Sequence, residues 1–227
     1  QVARDWLSKG LAGFRLDAVR YLVETGPDGG QKDTSQTHAY WREFRAALDT
    51  THPDALLLAE AWADSATTAT YFGTASQPEM TTAFDFDLAS AMVQSVRMKV
   101  ASPTKGALSA RLTQWGVRGH AGSFLTNHDM RRLASRLGTG VEGHKLAASL
   151  LMVLPGMPWI YYGQEIGMLN GPGGQDEHKR LPMQWQPGSG AGFTSGSPWM
   201  APQTEQGDVF VSQQLHDPAS LLAHYRA

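Results

Sequence analysis

The sequence predicts an α/β fold, a run of consecutive units of a parallel β/α barrel, and three observations predict it. Short apolar segments alternate with helical ones, and the order strand then helix is sustained five times across 227 residues. The spacings between them fit right-handed crossovers. The apolar segments also stop abruptly at ionisable residues, as strands buried on both faces do when their carboxyl ends carry a site.

Gln1 to Lys9 reads as the second half of an amphipathic helix, with Val2, Trp6 and Leu7 on one side and Gly10 as its stop. A further piece of chain is therefore expected before it. Gly13-Phe14-Arg15-Leu16-Asp17-Ala18-Val19 is the first strand, short and buried. Period-2 alternation sends Phe14, Leu16 and Ala18 one way and aims Arg15 and Asp17 together the other way. An Arg beside an Asp keeps the carboxylate ionised and orients it, as a nucleophilic carboxylate needs; a structural ion pair would use the same two residues. Gly26 to Thr37 is a loop whose Asp33, Thr34 and Ser35 are expected to be solvated, and Thr37 is expected to cap a helix through Asp49. Tyr40, Trp41, Phe44 and Leu48 give that helix an apolar face.

Leu56 to Trp62 is the second strand, a continuous apolar run interrupted by Glu60 near its end, and Thr82 to Asp87 is the third. Helices from Leu88 to about Lys99 and from about Lys105 to Trp115 lead to the fourth strand, Gly122 to Asp129. Glu142 to Leu154 is helical, and Trp159 to Glu165 is the fifth strand. Met168 to Trp199, rich in Gly and Pro and without a period, is a long ordered loop. Asp217 opens a last helix with good N-terminal chemistry. Residues 1–227 thus read as one partial barrel domain with a long loop at about 168–200.

Composition narrows the function. A net charge of -2 gives no electrostatic case for nucleic acid or an anionic membrane. With no Cys there is no disulfide framework, and the compartment stays open. The longest apolar run, Leu146 to Tyr162, is broken by Pro155, Gly156 and Pro158 and is a helix followed by a strand, not a membrane span. His38, His52, His120, His144, His178, His216 and His224 lack metal-ligand spacing and are expected at the surface or in loops.

Asp17, Glu60 and Asp129 end three different strands of the predicted barrel, so all three are expected at one mouth. That set suits chemistry on a glycosidic bond, which needs one carboxylate as nucleophile and another as proton donor. Residues 13–19, Leu58-Ala59-Glu60-Ala61-Trp62 and Phe124-Leu125-Thr126-Asn127-His128-Asp129 resemble, in order and spacing, three regions of the α-amylase family of retaining glycoside hydrolases. The resemblance continues through Ile160 to Met168 and through Arg180-Leu181-Pro182-Met183-Gln184-Trp185. The Pro-Met-Gln-Trp and Gly-Phe-Thr stretches lean towards its oligo-1,6-glucosidases and intermediate bacterial α-amylases.

The resemblance implies the parallel (β/α)8 TIM barrel, of which this chain would supply strands 4 to 8, without the N-terminal strands or the C-terminal β-sandwich. It implies hydrolysis of α-1,4 or α-1,6 glucosidic bonds in starch-derived or isomalto-oligosaccharides. In that mechanism Asp17 is the nucleophile, Glu60 the general acid and then base, and Asp129 the acid that binds sugar hydroxyls. Arg15 would hold Asp17 ionised, His128 would hydrogen-bond the same sugar, and Trp62 and Arg180 are the remaining substrate-binding candidates. Tyr162 and Trp185 are weaker candidates for stacking, and Arg132 is expected in a structural ion pair. Glu60 is expected to have a raised pKa, with Asp17 pushed the other way, and a retaining pair sits roughly 5 to 5.5 Å apart.

No cofactor is required by this chemistry; the resemblance leaves room for a structural calcium in the parent enzyme, which is not assignable to residues here. The expected partner is an oligosaccharide or starch, with no nucleic acid and no membrane. Five strands of a closed barrel leave two open edges, so self-association or a complementary N-terminal half is expected to close it. Two other readings use the same residues: transfer of the glucosyl group to another sugar or isomerisation of a disaccharide, and a catalytically incomplete half-barrel that binds sugar.

Overall fold

The computed structural model describes residues 1–116, 120–138, 140–203 and 209–227. Its strands are β1 (Gly13–Leu16), β2 (Leu56–Ala59), β3 (Thr82–Phe84), β4 (His120–Phe124) and β5 (Met157–Trp159), and they form one sheet in sequence order. The first three neighbouring pairs are parallel, with Gly13 opposite Leu56, Leu58 opposite Thr82, and Thr82 opposite His120. Parallel neighbours need a crossover between them. Helix α1 (Val2–Ser8) precedes the sheet, α2 (Ser35–Asp49) joins β1 to β2, and α3 (Ser65–Thr70) joins β2 to β3. Helices α4 (Phe86–Met98) and α5 (Ser102–Trp115) join β3 to β4, and α6 (Leu133–Leu137) and α7 (Val141–Val153) join β4 to β5. Two short helices close the chain, α8 (Val211–Gln214) and α9 (Leu221–Arg226). The predicted α/β class with a parallel sheet is the one observed.

The chain divides into two compact units, the first Gln1–Leu88, Lys105–Ser123 and Pro155–Met157, the second Ala89–Thr104, Phe124–Leu154 and Pro158–Ala227. In the first unit Leu57, Ala59, Ala83 and Ala121 of the strands are buried with Trp41 and Leu48 of α2 and with Tyr71, Phe72 and Trp115. Phe14 and Leu16 pack against this cluster, as the alternation along the first strand predicts. That strand is nevertheless only partly buried, because β1 lies at the edge of the sheet with a neighbour on one side only. In the second unit Ile166, Met168, Leu181 and Met183 form a separate buried cluster, which anchors the segment expected to be a long loop.

Several boundaries differ from the sequence reading. The fourth strand ends at Phe124, so Asn127, His128 and Asp129 lie in the turn beyond it; the fifth is Met157–Trp159, ahead of the aromatic run. The apolar runs continue past the strands because the turns that follow are themselves buried: Leu125 and Ile166 are almost fully covered. Thr34, not Thr37, caps α2, accepting from the Thr37 amide. Asp33 is not simply solvated, for it takes two bonds from Arg20, 2.9 and 2.6 Å, and one from the Tyr71 hydroxyl, 2.8 Å. His144 is buried rather than at the surface, and its Nε2 contacts the Gly138 carbonyl at 2.8 Å; burial lowers its pKa against that bond.

Candidate active site

In the first unit β1 and β2 run side by side, with Arg15 opposite Leu58 and Leu16 opposite Ala59. This register brings the residues just past the two strand ends together. The amide of Glu60 donates to the Leu16 carbonyl at 3.0 Å, and the Val19 amide to the Glu60 carbonyl at 3.3 Å. Ala18 turns the chain with a left-handed φ of 44°, and its amide donates to Glu60 Oε2 at 3.3 Å. Arg15 then spans both acids: one terminal nitrogen contacts Asp17 Oδ1, and Nη2 lies 2.7 Å from Glu60 Oε2.

The two acids differ in their contact with water. The Glu60 side chain is 8% exposed and that of Asp17 75%. Burial pushes the Glu60 carboxyl above its ordinary value; the Ala18 amide and the Arg15 charge oppose this, while the hydrogen bond and charge of Asp17 reinforce it. A carboxyl whose pKa is raised, beside an ionisable partner, is the arrangement a proton donor needs.

Trp62, two residues beyond Glu60, is half exposed and stacks on Phe86, with ring centroids 4.6 Å apart and planes within 17°. Its carbonyl accepts from Arg20 Nη1 at 2.5 Å. Arg20 therefore fixes both the loop carrying Asp33 and the backbone carrying Trp62, a part the sequence reading missed because the arginine stands outside every motif.

In the second unit Asn127 shapes the turn, its Oδ1 accepting from the Asp129 amide at 3.0 Å. Arg180 Nη2 holds Asp129 Oδ1 at 2.7 Å, and its Nε donates to the His128 carbonyl at 3.2 Å. Nε2 of His128 lies 3.3 Å from Asp129 Oδ2. Lys179 donates to the Asp129 carbonyl at 3.1 Å, and both basic residues also contact Asp176. His128, Asp129 and Arg180 are thus together, and Lys179 is an addition. Arg180 meets the third acid rather than standing apart from it.

Arg132 is not in the expected ion pair. Its side chain is fully buried, Nη1 donates to the Tyr162 carbonyl at 2.6 Å, and the guanidinium lies 4.6 Å from the ring centres of both Tyr161 and Tyr162. Aromatic faces stabilise a desolvated guanidinium, which is how the site tolerates it without a carboxylate in direct contact among the described residues. Tyr162 and Trp185 line a cavity of about 420 Å³ together with Arg180, Phe193 and Trp199.

Among the described residues no three His, Asp or Glu side chains are grouped as ligands for a metal ion, and the sequence has no Cys. No helix among the described residues is long and apolar enough to cross a membrane.

The model of the family described as "Alpha amylase, catalytic domain" matches residues 1–227. The chain is 32% identical over 97% of its length to the trehalose synthase/amylase of Mycolicibacterium smegmatis, covering 44% of that protein. It is 26% identical over its whole length to the oligo-1,6-glucosidase of Bacillus cereus, covering 51%. Among solved structures, an α-amylase from H. orenii superposes with a TM-score of 0.81 at 30% identity, covering 99% of this chain and 44% of that one. The chain spans about half the length of the curated relatives it matches.

Proposed function

We propose, since the chain belongs to the α-amylase family, that it carries the acid pair of a retaining glycosidase acting on α-1,4 or α-1,6 glucosidic bonds of starch-derived or isomalto-oligosaccharides. One observation supports this above the others: the Arg15 guanidinium holds two carboxylates of opposite exposure, Glu60 covered and Asp17 open to solvent. Glu60, whose pKa burial raises, gives its proton to the glycosidic oxygen as the bond to the leaving sugar breaks. Asp17 attacks the anomeric carbon and forms the glycosyl ester. The Glu60 carboxylate then removes a proton from water, which displaces Asp17 and regenerates both groups with the configuration retained.

Arg15 pairs with the Asp17 carboxylate and fixes the orientation of both acids. Asp129 and His128 are assigned the hydroxyls of the sugar being cleaved, Arg180 holds Asp129 in place for that task, and Trp62, stacked on Phe86, offers a flat face to a neighbouring sugar. Two oxygens of Asp129 are already engaged, by Arg180 and by His128, so the acid is oriented before substrate arrives.

The similarity to a trehalose synthase/amylase favours a second reading, in which a sugar hydroxyl replaces water in the second step. Product analysis on maltose, maltotriose and isomaltose, with Glu60→Gln as control, tests both. Glucose and shorter oligosaccharides that disappear with Glu60→Gln support hydrolysis. A disaccharide of new linkage from maltose supports transfer. No turnover of any of them by the folded, intact protein would defeat both and leave a sugar-binding part.

A further inference from the structure

We propose that Arg20 is a positioning residue for the acid pair: its grip on Asp33 and on the Trp62 carbonyl holds a one-residue slip between the ends of β1 and β2, and the slip presents the Ala18 amide to the Glu60 carboxyl. The catalytic consequence rests on the functional reading above; the placement of the groups does not. In a regular parallel ladder a residue donates its amide to a carbonyl of the neighbouring strand and accepts, at its own carbonyl, from the amide two places further along that strand. Glu60 keeps the first bond, to the Leu16 carbonyl at 3.0 Å, so the Ala18 amide is the one due at its carbonyl; the Val19 amide arrives there instead, at 3.3 Å. Ala18 has turned into the left-handed region, φ 44° and ψ 43°, and its displaced amide donates to Glu60 Oε2 at 3.3 Å. One extra residue on one side of a ladder is a bulge, and beside a site a bulge re-aims a group.

A non-glycine residue in that region is strained and persists only where its surroundings over-determine it. Arg20, two places on, ties the turn down. Its Nε and Nη2 donate to the two oxygens of Asp33 at 2.9 and 2.6 Å, its Nη1 donates to the Trp62 carbonyl at 2.5 Å, and its own carbonyl accepts from the Asp33 amide at 2.8 Å. The fully buried Tyr71 donates its hydroxyl to Asp33 Oδ1 at 2.8 Å, which fixes the carboxylate that anchors the grip. Trp41 Nε1 holds the Val19 carbonyl at 2.9 Å. Trp62 follows Glu60 by two residues, with the fully buried Ala61 between them, so a tie at Trp62 restrains Glu60 as well. All of these residues belong to the first unit. A guanidinium serves a carboxylate with one edge and a carbonyl with its remaining nitrogen, whereas an ammonium cannot reproduce that fork.

The test compares the intact protein with Arg20→Lys, with Tyr71→Phe, and with Arg45→Lys as a control for stability. Arg45 is a second buried arginine of the same unit, bound to Asp49 and to the Ala55 carbonyl at the opposite end of β2. Two properties are read: kcat and KM on maltotriose, and the shift of the Ala18 amide signal as pH titrates Glu60 in protein labelled with nitrogen-15 alanine, Glu60→Gln assigning the transition. Arg20→Lys is expected to lower kcat by about 10²-fold, the cost of misplacing a reacting group by roughly 1 Å, to leave KM nearly unchanged, and to abolish the Ala18 titration. Tyr71→Phe is expected to do the same in smaller measure, and it carries the test if the lysine variant does not fold. Arg45→Lys is expected to lower the melting temperature and leave kcat and the Ala18 titration as in the parent. Parental kcat and an unchanged Ala18 titration in Arg20→Lys would overturn the proposal and leave an ion pair that serves stability alone, as would the same two losses in Arg45→Lys. If the parent cleaves no maltotriose, the functional reading falls and the Ala18 signal alone decides the slip: its loss in Arg20→Lys sustains the grip, and its persistence overturns it.

Discussion

Taking the proton from Glu60 places a second negative charge beside Asp17 in a position almost closed to water, with Arg15 in contact with both. Arg15 lowers the Glu60 pKa against the burial that raises it. Replacing it by Met should therefore let Glu60 hold its proton to higher pH. The alkaline limb of the kcat/KM profile is expected to move upward while the maximum falls, and a limb that moves downward or stays fixed would separate Arg15 from the titration of Glu60. Glu60→Gln should lower kcat on maltotriose by about 10²–10⁴-fold, the usual worth of a positioned proton donor, with a smaller loss on an aryl glucoside whose leaving group needs no proton. At this scale the position of Asp17 and Glu60 just past two strands was legible, because each follows a short strand-like segment. The openness of Asp17 was not, since exposure depends on what covers a turn and not on the turn's own sequence. Arg132 misled the reading for a related reason: its partners, the rings and carbonyl of Tyr161 and Tyr162, are neutral and thirty residues away.

The strands place the acid pair through a close approach at one glycine. A Cβ built on Gly13 would lie 2.1 Å from the Leu56 carbonyl oxygen, so β1 and β2 can hold the register Gly13 to Leu56 only if position 13 has no side chain. Gly13→Val is expected to force the two strands apart, carrying Arg15 away from Glu60, with a loss of activity larger than its loss of melting temperature; near-parental activity would show that the pair does not depend on this register. Thr34→Ala should cost about 1 kcal/mol by removing the α2 cap, measured by denaturant unfolding, while Thr37→Val should keep the cap, because the bond to Thr34 comes from the backbone amide, and lose only the hydroxyl's own bonds to Thr34 and Val23. Element order and type were readable from the alternation of apolar runs with helical periods. Strand ends were not, because the buried turns after β4 and β5 continue the same apolar composition, and α3 and α6 are too short to show a period.

Across the whole molecule, acidic groups shift in opposite senses and give stability a pH dependence. Burial by itself would raise Asp33, but the hydrogen bonds from Arg20 and Tyr71 and the Arg20 charge outweigh it, so its pKa falls below the usual 3.8. A carboxylate depressed in the folded state contributes stability above its ordinary pKa, and that contribution is lost as pH falls through the folded value. Asp33→Asn is therefore expected to lower the melting temperature at neutral pH by more than at pH 3, and an equal decrease at both would contradict the depressed pKa. Glu165 is shifted the other way by burial, against the backbone amides around it and Arg132, and so costs stability as pH rises above 4.5. The family was legible from five motifs in order, three of which contain the acids. Of the rings around the aromatic cavity, Tyr162 and Trp185 were named from the sequence, whereas Phe193 and Trp199 were not, because they stand in a segment with no period.

The central claim, that Asp17 attacks and Glu60 gives the proton, is tested most directly by trapping the glycosyl ester. The intact Glu60→Gln protein is incubated with a fluorinated α-glucosyl fluoride and its mass is read before and after proteolysis. The account predicts one added fluoroglucosyl group per chain, located on the peptide containing Asp17. A label on any other residue, or an unlabelled protein that still turns the reagent over with inversion, would contradict it.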